Sequence, residues 1–197
     1  MLASINPLGE RARNQRYWVT ALAYIVGSTV AGAALGGGLG FVGTPLAVPF
    51  VALVAVAGLA IVGIACDARR FGARVPGLRR QVDENWLANY RGWVYGAGFG
   101  AQLGLAFTTI VTASATWIAF ACALLSGSPG AGVAIGAIFG VTRALPLLAG
   151  ARVHDAVALR SLVRGLERLR PRVAVTTTAV QGAAAVGLLA LAVARAA

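Results

Sequence analysis

Between Arg16 and Asp67 the chain carries no charged residue, and the same holds between Arg91 and Arg143 and between Arg172 and Arg195. These runs of 50, 51 and 22 residues exceed what a buried soluble helix needs, whereas about 20 apolar residues cross a bilayer. Charged residues are 12% of the 197 and hydrophobic ones 58%, roughly half the charge of a soluble domain. The chain therefore reads as an all-α polytopic membrane helix bundle, a single integral membrane domain over residues 1–197.

Turn signals divide the runs. Gly43-Thr44-Pro45 separates spans near 18–42 and 46–66, and Ser126-Gly127-Ser128-Pro129-Gly130 separates spans near 93–125 and 131–150. Pro171 precedes a fifth span near 173–194. At about 1.5 Å per residue the 93–125 span is too long for a straight crossing, so it is tilted, kinked or broken around Thr108-Thr109.

All 17 basic residues are arginine, a usage that suits a GC-rich bacterial genome. Three precede the first span, six lie in 67–91 and six in 152–172. The positive-inside rule then makes 1–16, 67–92 and 151–172 cytoplasmic segments of a bacterial inner-membrane protein with a cytoplasmic N-terminus. With no apolar stretch before residue 17, the first span is expected to act as an uncleaved anchor. The net charge of +11 is assigned to topology and anionic lipid headgroups, not to nucleic acid. Two cytoplasmic segments look amphipathic and interfacial. In 156–170, Leu159, Leu162, Val163, Leu166 and Leu169 oppose Arg160, Arg164 and Arg168; in 71–90, Phe71, Val75, Leu78 and Val82 recur at helical spacing before Trp86 and Tyr90.

Residues for catalysis are sparse. His154 is the single histidine, and Cys66 and Cys122 fall at opposite depths of the deduced topology, too far apart for a disulfide. The glycines at 36–40 follow no strand and lie inside a span, so they do not form a phosphate loop. No metal, no cofactor and no enzyme activity are expected.

Glycine recurs every fourth residue at Gly96, Gly100 and Gly104, and again at Gly132, Gly136 and Gly140. Small residues at that spacing let helix backbones approach closely in lipid, so the two sets are expected to line a contact between spans 93–125 and 131–150. Trp18-Val19 with Tyr24 is echoed 75 residues later by Trp93-Val94 with Phe99. Gln102, Arg143 and Gln181 each stand nine residues inside a cytoplasmic flank, about 13 Å of helix, and so share one depth. Thr109 falls on the face of Gln102. Either these four line a solute path, or Arg143 reaches back to headgroups while the glutamines bond neighbouring helices.

Residues 96–150 resemble the cytochrome c biogenesis (CcdA-like) and thiol-disulfide interchange (DsbD-like) membrane family. The likeness lies in the glycine-rich approach to Phe107-Thr108-Thr109-Ile110, the Ser126-Gly127-Ser128 turn, and the helix end at Leu145-Pro146-Leu147-Leu148. Thr109 and Ile110 stand where that family has its proline and reactive cysteine, so the resemblance implies the scaffold without thiol chemistry. Two functions are expected from it and from the polar layer. One is a small-solute or ion transporter. The other is a non-transporting membrane subunit or scaffold that packs a membrane partner or a second copy.

Overall fold

The computed structural model describes residues 5–46, 49–68, 86–106 and 114–196. Of the interfacial segment expected at 71–90, residues 71–85 lie outside the described residues, as does Thr109 with the rest of 107–113. Among the described residues eight α-helices follow in order: α1 Pro7–Ala12, α2 Tyr17–Val42, α3 Pro49–Asp67, α4 Trp86–Asn89, α5 Gly92–Leu105, α6 Ala115–Leu125, α7 Pro129–Ala144 and α8 Ala156–Ala196, with 3-10 turns at Thr44–Leu46 and Leu145–Arg152. The described residues contain no strand.

Among the described residues four helices are long and apolar enough to cross a membrane: Tyr17–Val42, Phe50–Asp67, Pro129–Arg152 and Ala156–Ala194. Of the five expected spans, the third is described as a broken one. That segment is two helices, α5 of 14 residues and α6 of 11, each shorter than a crossing of about 20. α5 stops because Ala106 takes φ 54°, a conformation that helices exclude and glycine favours. Of tilt, kink and break, the structure has the break.

A correction falls at α8. Pro171 does not separate an interfacial helix from a span; one helix of 41 residues runs through it. Proline removes a donor and meets the carbonyl four residues back. Pro171 and Glu167 both lie on exposed surface, where the freed carbonyl is open to solvent.

Helix α2 is the centre of the bundle. Its largest interfaces are with α7 and α5, while α3 pairs with α8 and α6 touches α2, α3 and α7. Along α2 the buried positions are Tyr17, Thr20, Ala21, Tyr24, Ser28, Gly32, Gly36 and Gly40, mostly four residues apart and hence on one face. Trp18, Leu22, Val26 and Val30 occupy the opposite face and are exposed. Small residues inside and large apolar ones outside reverse the order of a soluble helix and suit one packed by backbone approach in lipid.

The glycine stripes of α5 and α7 both close on α2, not chiefly on each other. Gly96 lies against Thr20, Gly100 against Tyr24, and Gly104 against Ser28 and Gly32, so α5 runs parallel to α2. Gly132 meets Gly36 and Gly40, Gly136 meets Gly32 and Gly36, and Gly140 meets Ser28, so α7 runs antiparallel. A methyl on Gly136 would stand 3.1 Å from the Cα of Gly36 and one on Gly132 3.2 Å from that of Gly40. The five-residue turn between α6 and α7 suggested α7's neighbour in sequence; the matching stripe on α2 decided the contact instead. The echoed residues sit equivalently on the parallel pair: Trp18 and Trp93 are exposed, Tyr24 and Phe99 buried.

Candidate functional site

Two polar assemblies join the helices, and sequence reasoning located part of one. The first is one it missed. Asn6 caps α1, its side chain accepting from Gly9 N at 2.9 Å, and Pro7 takes the first helical position, where its missing N–H costs nothing. This short helix drives Glu10 into the bundle with 0% exposure. Tyr95 Oη donates to Glu10 Oε1 and Oε2 at 2.7 and 2.6 Å, Thr20 Oγ1 to Oε2 at 2.7 Å, and Arg13 Nη2 to Oε1 at 2.6 Å. Arg13 also lies over the Tyr95 ring, 5.8 Å from its centroid. Burial works against the Arg13 charge, but hydrogen bonds to Glu10 and Tyr95 outweigh it and raise the guanidinium above its usual value. Beside this nest Tyr17 Oη donates to Leu147 O at 2.9 Å, tying α2 to the turn after α7. The sequence signal was Asn6-Pro7, a helix start placing an acid one turn later.

The second assembly joins α3, α6 and α8. Ser114 directs its N–H at 3.0 Å and its Oγ at 2.7 Å to the Asp67 carboxylate, which therefore sits at the N-terminus of α6, where a negative charge is favoured. Gln181 Nε2 donates to Ser114 Oγ at 3.2 Å. Its Oε1 is buried with no partner among the described residues, and Gln181 as a whole is 7% exposed. Gly63 admits the Ser114 side chain, which a methyl there would meet at 2.6 Å.

On α7 the Arg143 guanidinium lies 5.4 Å from the centroid of Phe139, one turn earlier on the same helix. Gln102 stands half-buried on α5. Gln181 is bonded to Ser114 and shares no hydrogen bond with Gln102 or Arg143. It belongs to the α3–α8 pair, whereas the other two stand on the helices that flank α2. Cys66 and Cys122 are free thiols. What the arrangement does chemically is hold helices together: its carboxylates meet donors from other helices, and its hydroxyls bridge chain segments up to 130 residues apart.

Three methylamine utilization proteins MauF align with this chain. The protein from Methylophilus methylotrophus is 35% identical over 136 residues, 66% of this chain and 46% of the relative. That from Paracoccus versutus is 31% identical over 154 residues, 74% of this chain and 55% of the relative. That from Methylobacillus flagellatus is 32% identical over 136 residues. The chain thus spans about half the length of the curated relatives it matches. No family model and no solved structure matches it.

These findings overturn two expectations. The CcdA-like and DsbD-like resemblance has no family model behind it, and the relatives bear another name. Glycines at every fourth position, a Ser-Gly-Ser turn and a proline at a helix end are what any closely packed helix pair asks for, so they mark packing and not lineage. The small-solute or ion transporter built on that scaffold falls with it, since the relatives are named for methylamine utilization.

Proposed function

We propose that this chain is a non-transporting, non-catalytic membrane subunit that serves methylamine utilization by holding a partner protein at the bacterial inner membrane. The observation that carries the reading is similarity, over two thirds to three quarters of the chain, to proteins named for methylamine utilization. The packing supports it: glycine backbones fill the interfaces of α2 with α5 and α7, a construction suited to a rigid scaffold. In this reading α5 and α6 together make one crossing, the bundle has five, and the arginine-rich segments face the cytoplasm beside anionic headgroups.

The test is removal of the chain from its host, with re-expression as control. Growth on methylamine should stop, growth on succinate with ammonium should continue, and uptake of radiolabelled methylamine should be unchanged. Continued growth on methylamine, or growth lost together with uptake, would overturn the proposal.

A further inference from the structure

Helix α8 holds 41 residues, about 60 Å at 1.5 Å each, against a hydrocarbon thickness of about 30 Å. Half of it must leave the apolar slab, and charge selects residues 156–172, where Arg160, Arg164, Arg168, Arg170 and Arg172 are all exposed. Asp155 starts the helix, accepting from Ala158 N at 2.6 Å. Within this half the apolar residues Leu159, Leu162, Leu166, Leu169 and Val173 follow a 3-4-3-4 spacing, the a and d positions of a coiled coil. Leu166, Leu169 and Val173 are 37, 47 and 59% exposed.

We propose that this seam docks an acidic helix of a partner protein, packing leucine against leucine while Arg170 and Arg172 at its flanks meet carboxylates. The inference rests on the partner-holding role above and names the chemistry of that partner. Two observations favour a protein over the bilayer surface. A helix that ended at Pro171 could turn and lie along the headgroups, but α8 runs on through it, carrying Leu159 about 20 Å from Val173 along one helix. Arg170 and Arg172 flank the seam at its e and g positions, and among the described residues neither meets a carboxylate. A second copy of the chain is disfavoured by the same charges, because Arg170 and Arg172 occupy e and g positions flanking the seam and would face their equals.

The experiment uses the full chain in nanodiscs and a synthetic three-heptad peptide with leucine at a and d and glutamate at e and g. Its control is a peptide of the same composition with the heptad scrambled. Fluorescence anisotropy should show the heptad peptide binding at least about tenfold tighter than the scrambled one. The preference should persist in phosphatidylcholine and in phosphatidylglycerol discs, and Leu162→Ala/Leu169→Ala should remove it. Because the peptide comparison is made on the unaltered chain, it does not depend on how that variant folds. Equal affinity for the two peptides would reduce the segment to a charged surface and overturn the proposal. So would quenching of a Leu166→Trp reporter by brominated phosphatidylglycerol, which places the seam in the membrane, or cross-linking of Leu166→Cys copies, which gives it to self-association. Growth on methylamine reads the parent proposal separately from all of these.

Discussion

Ser28 Oγ donates to the carbonyl oxygen of Gly140 at 2.8 Å, across 112 residues of sequence. Its own carbonyl is where Gly104 of α5 and Gly140 of α7 both close on α2, so one turn of α2 fixes two neighbours of opposite direction. The bond forms because no side chain on Gly140 holds the backbones apart. Position 28 is the point where the α5 interface hands over to the α7 interface.

Substitutions at glycine should therefore divide by place and not by residue type. Gly100→Ala and Gly136→Ala put a methyl onto the backbone of Tyr24 and Gly32 respectively, so the helices must part, at a cost of about 2 kcal/mol or more. Gly38, Gly58 and Gly187 have open space beside them; alanine there should be neutral or stabilise by up to about 1 kcal/mol through helix propensity. Unfolding in mixed detergent micelles measures both groups. Equal effects in the two would contradict the close packing.

The Glu10 nest should unfasten α1 when its acceptor is weakened. Glu10→Gln leaves Arg13 without its ion pair and deprives Tyr95 and Thr20 of a charged acceptor, a loss of about 2–3 kcal/mol. Tyr95→Phe should cost less, about 1–2 kcal/mol, and the double variant should fall short of the sum because the two groups share hydrogen bonds. Exposure of α1 to protease reports the same event. Strict additivity would show that Glu10 and Tyr95 act apart.

Length without charge made the membrane class legible from the sequence, because nothing but lipid asks for 50 uncharged residues in a row. The glycine positions were legible as packing surfaces too, but their partner was not. Ser28, Gly32, Gly36 and Gly40 form the same i,i+4 series on α2, but the adjacent Gly37 and Gly38 blur its period. The break at Ala106 had no local signal, since an alanine with φ 54° is set by its surroundings and not by its propensity. Helical continuity through Pro171 was illegible for a related reason: proline's cost depends on whether water can reach the freed carbonyl. Equal depth placed Gln102, Arg143 and Gln181 together, but depth counts say nothing about which helices are neighbours. Glu10 escaped notice because an acid ahead of a span reads as solvated flank.

At Gln181 the sign of a substitution is informative. Its Nε2 bonds to Ser114 while Oε1 is buried with no donor among the described residues, and a buried polar atom without a partner costs roughly 1–3 kcal/mol. Gln181→Leu keeps the volume and removes that atom, so it should be neutral or stabilising in detergent. Asp67→Asn, which weakens the acceptor for both Ser114 groups, should destabilise by about 1–2 kcal/mol. If Gln181→Leu proves the more damaging of the two, Oε1 has a partner in solution, and the bond to Ser114 is not what keeps Gln181 in place.

The last prediction concerns the two thiols. Cys66 precedes Asp67 at the end of α3, and Asp67 is fastened to Ser114 at the start of α6. Cys122 is eight residues further along, about 12 Å of helix from Ser114. A disulfide needs Cα atoms within about 7 Å, so these two cannot join without dismantling the α3–α6 contact, and both are free thiols here. Replacing the pair, Cys66→Ala/Cys122→Ala, should leave growth on methylamine unchanged. The unaltered chain should run the same on non-reducing gels with and without oxidant, apart from any dimer. Growth lost in the double variant and regained when either cysteine is restored would give the chain a thiol role that its geometry does not provide. Growth lost only through poor membrane yield would be seen in the amount of protein recovered, and the milder Cys66→Ser/Cys122→Ser pair then decides between the two.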